Sequence, residues 1–190
     1  MLGLFPQSGA TTLALCLASR IASRGQRIIL VDGNFVRPQV ATWLDAMPTA
    51  GWEDALKHVA QLSDAAVHAT DDRVDLLALG AKKPKDAQSL VAGLQAAVTA
   101  GVLRHAYDLV LVDLGAFFAA ESQPILLELV RNLGVDVVLA VTGPEQADRR
   151  DLRTLAEHLG QSGCELLGTI ENRIAKPPLD DELGADWQAA

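Results

Sequence analysis

Two aspartates end apolar runs, Ile28-Ile29-Leu30-Val31-Asp32 and Leu109-Val110-Leu111-Val112-Asp113, and a hydroxyl-rich segment, Pro6-Gln7-Ser8-Gly9-Ala10-Thr11-Thr12, follows a third. A carboxylate at the end of a buried strand can act as a base or hold magnesium-bound water. A turn that opens a helix can wrap phosphate in backbone N–H groups at the helix's positive end. Taken together, these residues suit phosphoryl chemistry. Asp32 and Asp113 are the candidate catalytic acids, and Thr11, Asp32 and Asp113 are the candidate magnesium ligands. Ser8, Gly9, Ala10, Thr11 and Thr12 form the candidate phosphate loop. The same residues also admit quieter roles. Strand-end acids can accept N–H groups from the following loop, and Ser8 or Thr11 can cap the helix.

A phosphate-binding loop of the usual kind has two glycines for the tight wrap, a lysine on the β- and γ-phosphates and a hydroxyl residue on magnesium. Gly9 and Thr11 match the second glycine and the hydroxyl, whereas Ala10 stands at the lysine position and Leu4 at the first glycine. Removing one positioned donor to developing charge costs ~10²–10³ in rate, so ordinary turnover is not expected. Replacement cations would have to come from Arg37, Arg149, Arg150 or Lys82-Lys83-Pro84-Lys85, all of which read first as solvated surface charge. His58, His68, His105 and His158 lack metal-ligand spacing. Cys16 and Cys164 read as buried thiols rather than a disulfide or metal pair.

The elements that must position these groups alternate along the chain. Short Val, Ile and Leu runs at residues 2–5, 27–31, 74–79, 109–112, 135–141 and 166–170 read as strands covered on both faces. Residues 11–24, 86–100, 123–132 and 148–160 carry helical spacing, with Asp86 and Asp148 as expected N-caps. Residues 41–72 are less regular, with short helices expected around 52–59. This is the βαβ pattern of an α/β fold, expected to be a three-layer α/β/α sandwich with a mostly parallel sheet, and the resemblance of residues 6–12, 32–38 and 113 to P-loop NTPases implies a sheet of that type. Ligands in such sheets bind at the carboxyl ends of the strands, which places residues 6–12, 32–38, 113–118 and those after 170 on one rim. Residues 1–173 form the expected domain and 174–190, with Pro177, Pro178 and acidic Asp180 to Glu182, the expected tail.

With these motifs in place, the chain resembles the ParA/MinD-like P-loop ATPases, and within them the cytoplasmic domain of bacterial tyrosine autokinases that partner polysaccharide chain-length proteins. That family has Gly-Glu-Gly-Lys-Ser/Thr-Thr in its loop, Asp-x-Asp-x-Arg-x-Pro after its second strand and a strand ending in Asp. The counterparts here are Gln7 to Thr12, Asp32-Gly33-Asn34-Phe35-Val36-Arg37-Pro38 and Asp113, together with Gly51-Trp52-Glu53-Asp54-Ala55-Leu56, Leu76-Leu77-Ala78-Leu79-Gly80 and Leu167-Gly168-Thr169-Ile170-Glu171-Asn172-Arg173. The resemblance implies Mg-ATP or Mg-ADP as the ligand, with Asn172 near the base and Arg173 beside it. The departures are Gln7 for a loop glycine, Ala10 for the lysine, Asn34 for the second acid and Leu114-Gly115-Ala116 for Thr-Pro-Pro. The family's tyrosine-rich tail is also absent, since Tyr107 is the one tyrosine.

Three readings follow. The first is a noncatalytic binding or regulatory subunit in exopolysaccharide synthesis or export. The second is an ATPase or tyrosine kinase with an unconventional cation. The third is a ParA/MinD-like positioning switch, disfavoured because residues 6–9 hold no counterpart of that group's extra signature lysine. The implied partners are a polysaccharide co-polymerase, an active kinase subunit or further copies of the chain. A formal charge of −8 over 190 residues opposes nonspecific attraction to nucleic acid or an anionic bilayer. No apolar run reaches the ~18–20 residues that span a membrane. The expected location is therefore cytoplasmic, with contact to the inner membrane only through a partner.

Overall fold

The computed structural model describes residues 1–46, 48–58, 60–69, 74–80, 84–144, 146–173 and 187–189. Its strands are β1 (Leu2–Gly3), β2 (Ile28–Asp32), β3 (Ala66–Ala69), β4 (Val74–Leu77), β5 (Leu109–Asp113), β6 (Val137–Thr142), β7 (Glu165–Glu171) and β8 (Trp187–Ala189). Its helices are α1 (Ala10–Ala22), α2 (Val40–Trp43), α3 (Trp52–Leu56), α4 (Ala87–Ala92), α5 (Leu94–Ala106), α6 (Ser122–Asn132) and α7 (Arg149–Gln161).

The strands form two ladders, β5-β2-β4-β3-β8 and β1-β6-β7. Pairing is parallel throughout except at β3, which runs antiparallel to both β4 and β8. The ladders meet where β1 lies against the chain leaving β5: Gly3 N–H donates to Gly115 O at 2.7 Å, Leu114 N–H to Met1 O at 2.9 Å, and Phe117 N–H to Gly3 O at 2.8 Å. The sequence implies a mostly parallel sheet of P-loop NTPase type, and this is the architecture found.

Strand alternation divides the core between the two faces. Leu30 and Leu76 pack with Ala10, Ala14 and Leu15 of α1. Ile29, Val31 and Leu77 join the cluster containing Val91, Leu103 and Leu126 of α4, α5 and α6. Trp52 is fully buried, edge-on to Phe35 at 5.1 Å, and its Nε1–H donates to Asp32 O at 2.8 Å. Glu53 accepts the Gly80 N–H with its carboxylate at 3.0 and 3.1 Å, fixing α3 to the end of β4.

Several boundaries differ from expectation for local reasons. The helix expected over 86–100 is two helices, because Gly93 adopts an extended backbone (φ −74°, ψ 158°) and starts α5. Asp86 precedes α4 without a side-chain capping bond. Strand β3 lies within the segment read as irregular, and β8 within the segment read as tail; residues 174–186 and 190 lie outside the described residues. Cys164 is buried as expected, but Cys16 is only half-buried. No helix among the described residues is long and apolar enough to cross a membrane.

Asp148 does cap α7. Its Oδ1 accepts the N–H groups of Arg150 at 2.7 Å and Asp151 at 3.0 Å, and Asp151 Oδ2 accepts the Asp148 N–H at 3.0 Å. Asp148→Ala should therefore cost about 1 kcal/mol in chemical unfolding. An unchanged midpoint would show that this reciprocal cap contributes nothing to stability.

Candidate functional site

The chain leaves β1 through the buried Leu4 and turns back on itself, with Ser8 N–H donating to Phe5 O at 3.3 Å. Two residues then take left-handed backbone, Gln7 at φ 64° and Gly9 at φ 84°. Gly9 is the N-cap of α1 and no side chain caps that helix, so neither Ser8 nor Thr11 plays that role. The N–H groups of Ala10, Thr11 and Thr12 meet no acceptor among the described residues. They are the unpaired donors that every helix start presents, left open to an anion. Gln7 stands where the kinase pattern has a loop glycine. Gln7 adopts the glycine-favoured conformation itself, at a steric cost of ~1–2 kcal/mol. Leu4 sits in the core, so its bulk is absorbed beneath the loop.

The acids stand side by side because β2 and β5 are neighbours in register, with Asp32 opposite Asp113. Both are fully buried. Asp113 Oδ2 accepts the Thr11 hydroxyl at 2.6 Å and Oδ1 accepts the Gly115 N–H at 3.1 Å. Asp32 accepts the N–H groups of Asn34 at 3.1 Å and Val40 at 3.4 Å. Burial, and secondarily the charge of Asp113, pushes the Asp32 carboxyl up to about 8. Burial also raises Asp113, opposed by its bonds from Thr11 and Gly115. Each acid thus holds the loop that follows it, and Asp113 also holds the phosphate loop through Thr11, while neither lines the cleft above.

A cleft of about 510 Å³ opens over the loop, lined by residues 7–12 together with Asn34, Arg37, Trp43, Gly115 and Asn172. Asn172 arrives from the end of β7, where its N–H donates to Thr142 O at 2.7 Å and its side-chain amide donates to Ser8 O at 3.1 Å. It lies so close to Gly9 that a Cβ there would collide with the amide. Gly115 is likewise required: at φ 71°, a Cβ would lie 2.6 Å from Asn34 Cγ. Arg173 is not part of the cleft and pairs with Glu171 at 2.9 Å. Arg149, Arg150 and Lys85 do not line it, and Lys82 and Lys83 lie outside the described residues.

Sequence reasoning missed Trp43, a residue 46% exposed, and Cys16 as cleft walls. The available signal was a tryptophan in a short helix directly after the Asp32 segment. The donor set is hydroxyl and carboxylate oxygen, which suits a hard cation such as Mg²⁺. Thr11, Asp113 and Asp32 would hold it, and the loop amides would hold phosphate. At the lysine position the fit fails, because Ala10, the nearly buried first residue of α1, carries no charge.

No protein-family model matches the chain. Tyrosine-protein kinase YwqD of Bacillus subtilis is 26% identical over 167 residues, covering 88% of this chain and 68% of that protein. Tyrosine-protein kinase Etk of Escherichia coli is 23% identical over 174 residues, covering 92% of this chain but 23% of Etk. The Etk kinase domain superposes with a TM-score of 0.80 at 20% identity, covering 91% of this chain and 67% of that domain. The cell-division ATPase MinD of Pyrococcus furiosus superposes at 0.69 and 20% identity, covering 94% of this chain and 74% of MinD. The relatives of this chain are bacterial tyrosine-protein kinases, and its fold is the P-loop fold they share with MinD.

Two measurements test the site. Gln7→Gly should raise stability by about 0.5–1 kcal/mol, the relieved left-handed strain less the added chain entropy, which is a Tm increase of roughly 2–4 °C at most. A loss of stability would mean that the Gln7 side chain does more than tolerate the turn. For Asp32, the raised pKa means that the folded state holds its proton more tightly than the unfolded state. That stabilisation is full below about pH 4 and is lost as pH rises through about 8. Asp32→Asn should flatten the fall in Tm between about pH 5 and 9, and an equally steep fall in the variant would assign it to another group.

Proposed function

We propose that this domain is a noncatalytic relative of the bacterial tyrosine kinases, a binding or regulatory subunit of exopolysaccharide synthesis or export. The observation that supports this most directly is a loop that keeps its phosphate-wrapping backbone while Ala10, packed in the core, occupies the lysine position. Such a cleft can hold phosphate through backbone N–H groups and a magnesium ion through Thr11, Asp32 and Asp113. Without a fixed cation on the transferring group it lacks the electrostatic stabilisation that phosphoryl transfer needs. The domain's role is then contact with a partner: the cytoplasmic end of a polysaccharide co-polymerase, an active kinase subunit or another copy of the chain. It would reach the inner membrane only through that partner. Mg-ADP or Mg-ATP would act as a bound ligand rather than a turned-over substrate.

The intact loop shape and the Thr11–Asp113 bond favour a second reading, an ATPase or tyrosine kinase with an unconventional cation. Calorimetric titration with Mg-ATP and Mg-ADP, followed by a phosphate-release assay, separates the two. We expect weak binding, in the range of about 0.1–1 mM, with no phosphate release above the buffer rate. Sustained release that disappears in Asp113→Asn would establish the enzyme and end the noncatalytic reading. Co-purification from the native cell adds the partner side. An Asp32→Ala, Asp113→Ala variant that stays folded should retain its partner, whereas loss of the complex would make the occupied cleft a condition of assembly.

A further inference from the structure

We propose that the outward face of α5 is a docking surface for a second copy of this chain, pairing helix to helix about a twofold axis. This rests on the reading that the domain works by contact for the use of the pairing, and on α5 alone for its existence. Three of the six large apolar side chains left exposed among the described residues stand on this one helix: Leu94 at 80%, Val98 at 49% and Val102 at 52%. They recur every four residues, and Ala97 and Gly101, also exposed, lie between them on the same face. The opposite face is committed to the core through Ala96, Thr99, Ala100 and Leu103. From Leu94 to Leu103 the helix carries no charge, in a chain where charged residues make up 21%. A helix apolar on every side is the pattern of a buried helix, not of one left in water.

The stripe is its own complement. Antiparallel pairing about an axis midway between Val98 and Gly101 sets Val98 against Gly101 of the second copy and Val102 against Ala97 of the second copy. Large then meets small at each of these contacts, as interdigitated helices require, and the same patch serves both copies, as a twofold contact requires. Gly101 adds an independent sign. A Cβ there would meet nothing within 4 Å, so no neighbour within the chain requires a glycine at a position where it weakens the helix. Close approach of a second helix supplies the reason. A bilayer is a poorer occupant, because Arg104 and His105 in the last turn are the only basic residues of α5 and the formal charge of −8 opposes an anionic surface. The area sets the strength. A stripe on 13 residues is about 20 Å long and about 10 Å wide, well short of the roughly 800 Å² per partner of a standard interface, so the pairing is weak and reversible.

Sedimentation equilibrium of the full chain from about 5 to 300 µM tests the pairing, with thermal unfolding as the check on folding. The wild type should pair with a Kd of about 10–100 µM. Val98→Glu places two carboxylates beside the axis and should weaken pairing at least ~10-fold with Tm little changed. Gly101→Gln should keep or raise Tm, because the position is open and glycine weakens a helix interior, yet weaken pairing by a similar factor. A glycine with no role outside the chain would move Tm alone. A wild type that stays monomeric to about 300 µM, or a Val98→Glu protein that pairs as tightly as the wild type, would overturn the α5 face. Either result leaves the reading of the cleft as it stands, since α5 lines no part of it.

Discussion

The hydrogen bond from the Thr11 hydroxyl to Asp113 joins groups 102 residues apart and ties the phosphate loop to the middle of the sheet. It can form only because β5 delivers Asp113 to the rim in register with Asp32 on β2. Burying two carboxylates side by side is costly unless each is hydrogen-bonded. Each is met by a backbone N–H from its own following loop, at Gly115 and at Asn34. The acids therefore fix both loops that face the cleft, and Thr11 fixes the third. The sheet register, the loop paths and the cleft shape are one linked arrangement.

That linkage separates shape from charge. The loop path is set by contacts that remain: the β1–β6 pairing below, Asn172 against Gly9, and Thr11 on Asp113. A glutamine at position 7 is carried into left-handed backbone because its neighbours determine the turn. The lysine charge has no such support. It would project from the first residue of α1, and nothing in the core requires it, so alanine fits there with its Cβ packed inward.

Residues whose signal is periodic or terminal were legible in the sequence. The continuous apolar runs gave β2, β5 and β6 within two residues, and the aspartates ending β2 and β5 marked the rim. Asn172 was legible only through resemblance, since its place beside Ser8 depends on a contact across 164 residues. The short β3 was hidden because Ala66-Val67-His68-Ala69 has little strand propensity of its own and is held by pairing with β4. Gly93 was hidden inside a helical pattern that continues on both sides of it. Gln7 was legible as a missing loop glycine, but the sequence does not show that the surroundings impose the same backbone on it at a tolerable cost.

The electrostatics of the cleft complete the argument. Two ionised acids beneath an open phosphate loop would repel the anion that the loop is shaped to receive. Burial pushes both carboxyls upward, Asp32 to about 8, so at neutral pH Asp32 is held largely in its neutral form. The pair then carries less negative charge than two ionised carboxylates would, and the helix-start N–H groups of α1, tied to Asp113 through Thr11, face a milder field. A divalent cation at Thr11, Asp32 and Asp113 would ionise both acids by displacing their protons. Either route, protons or metal, neutralises the same two acids.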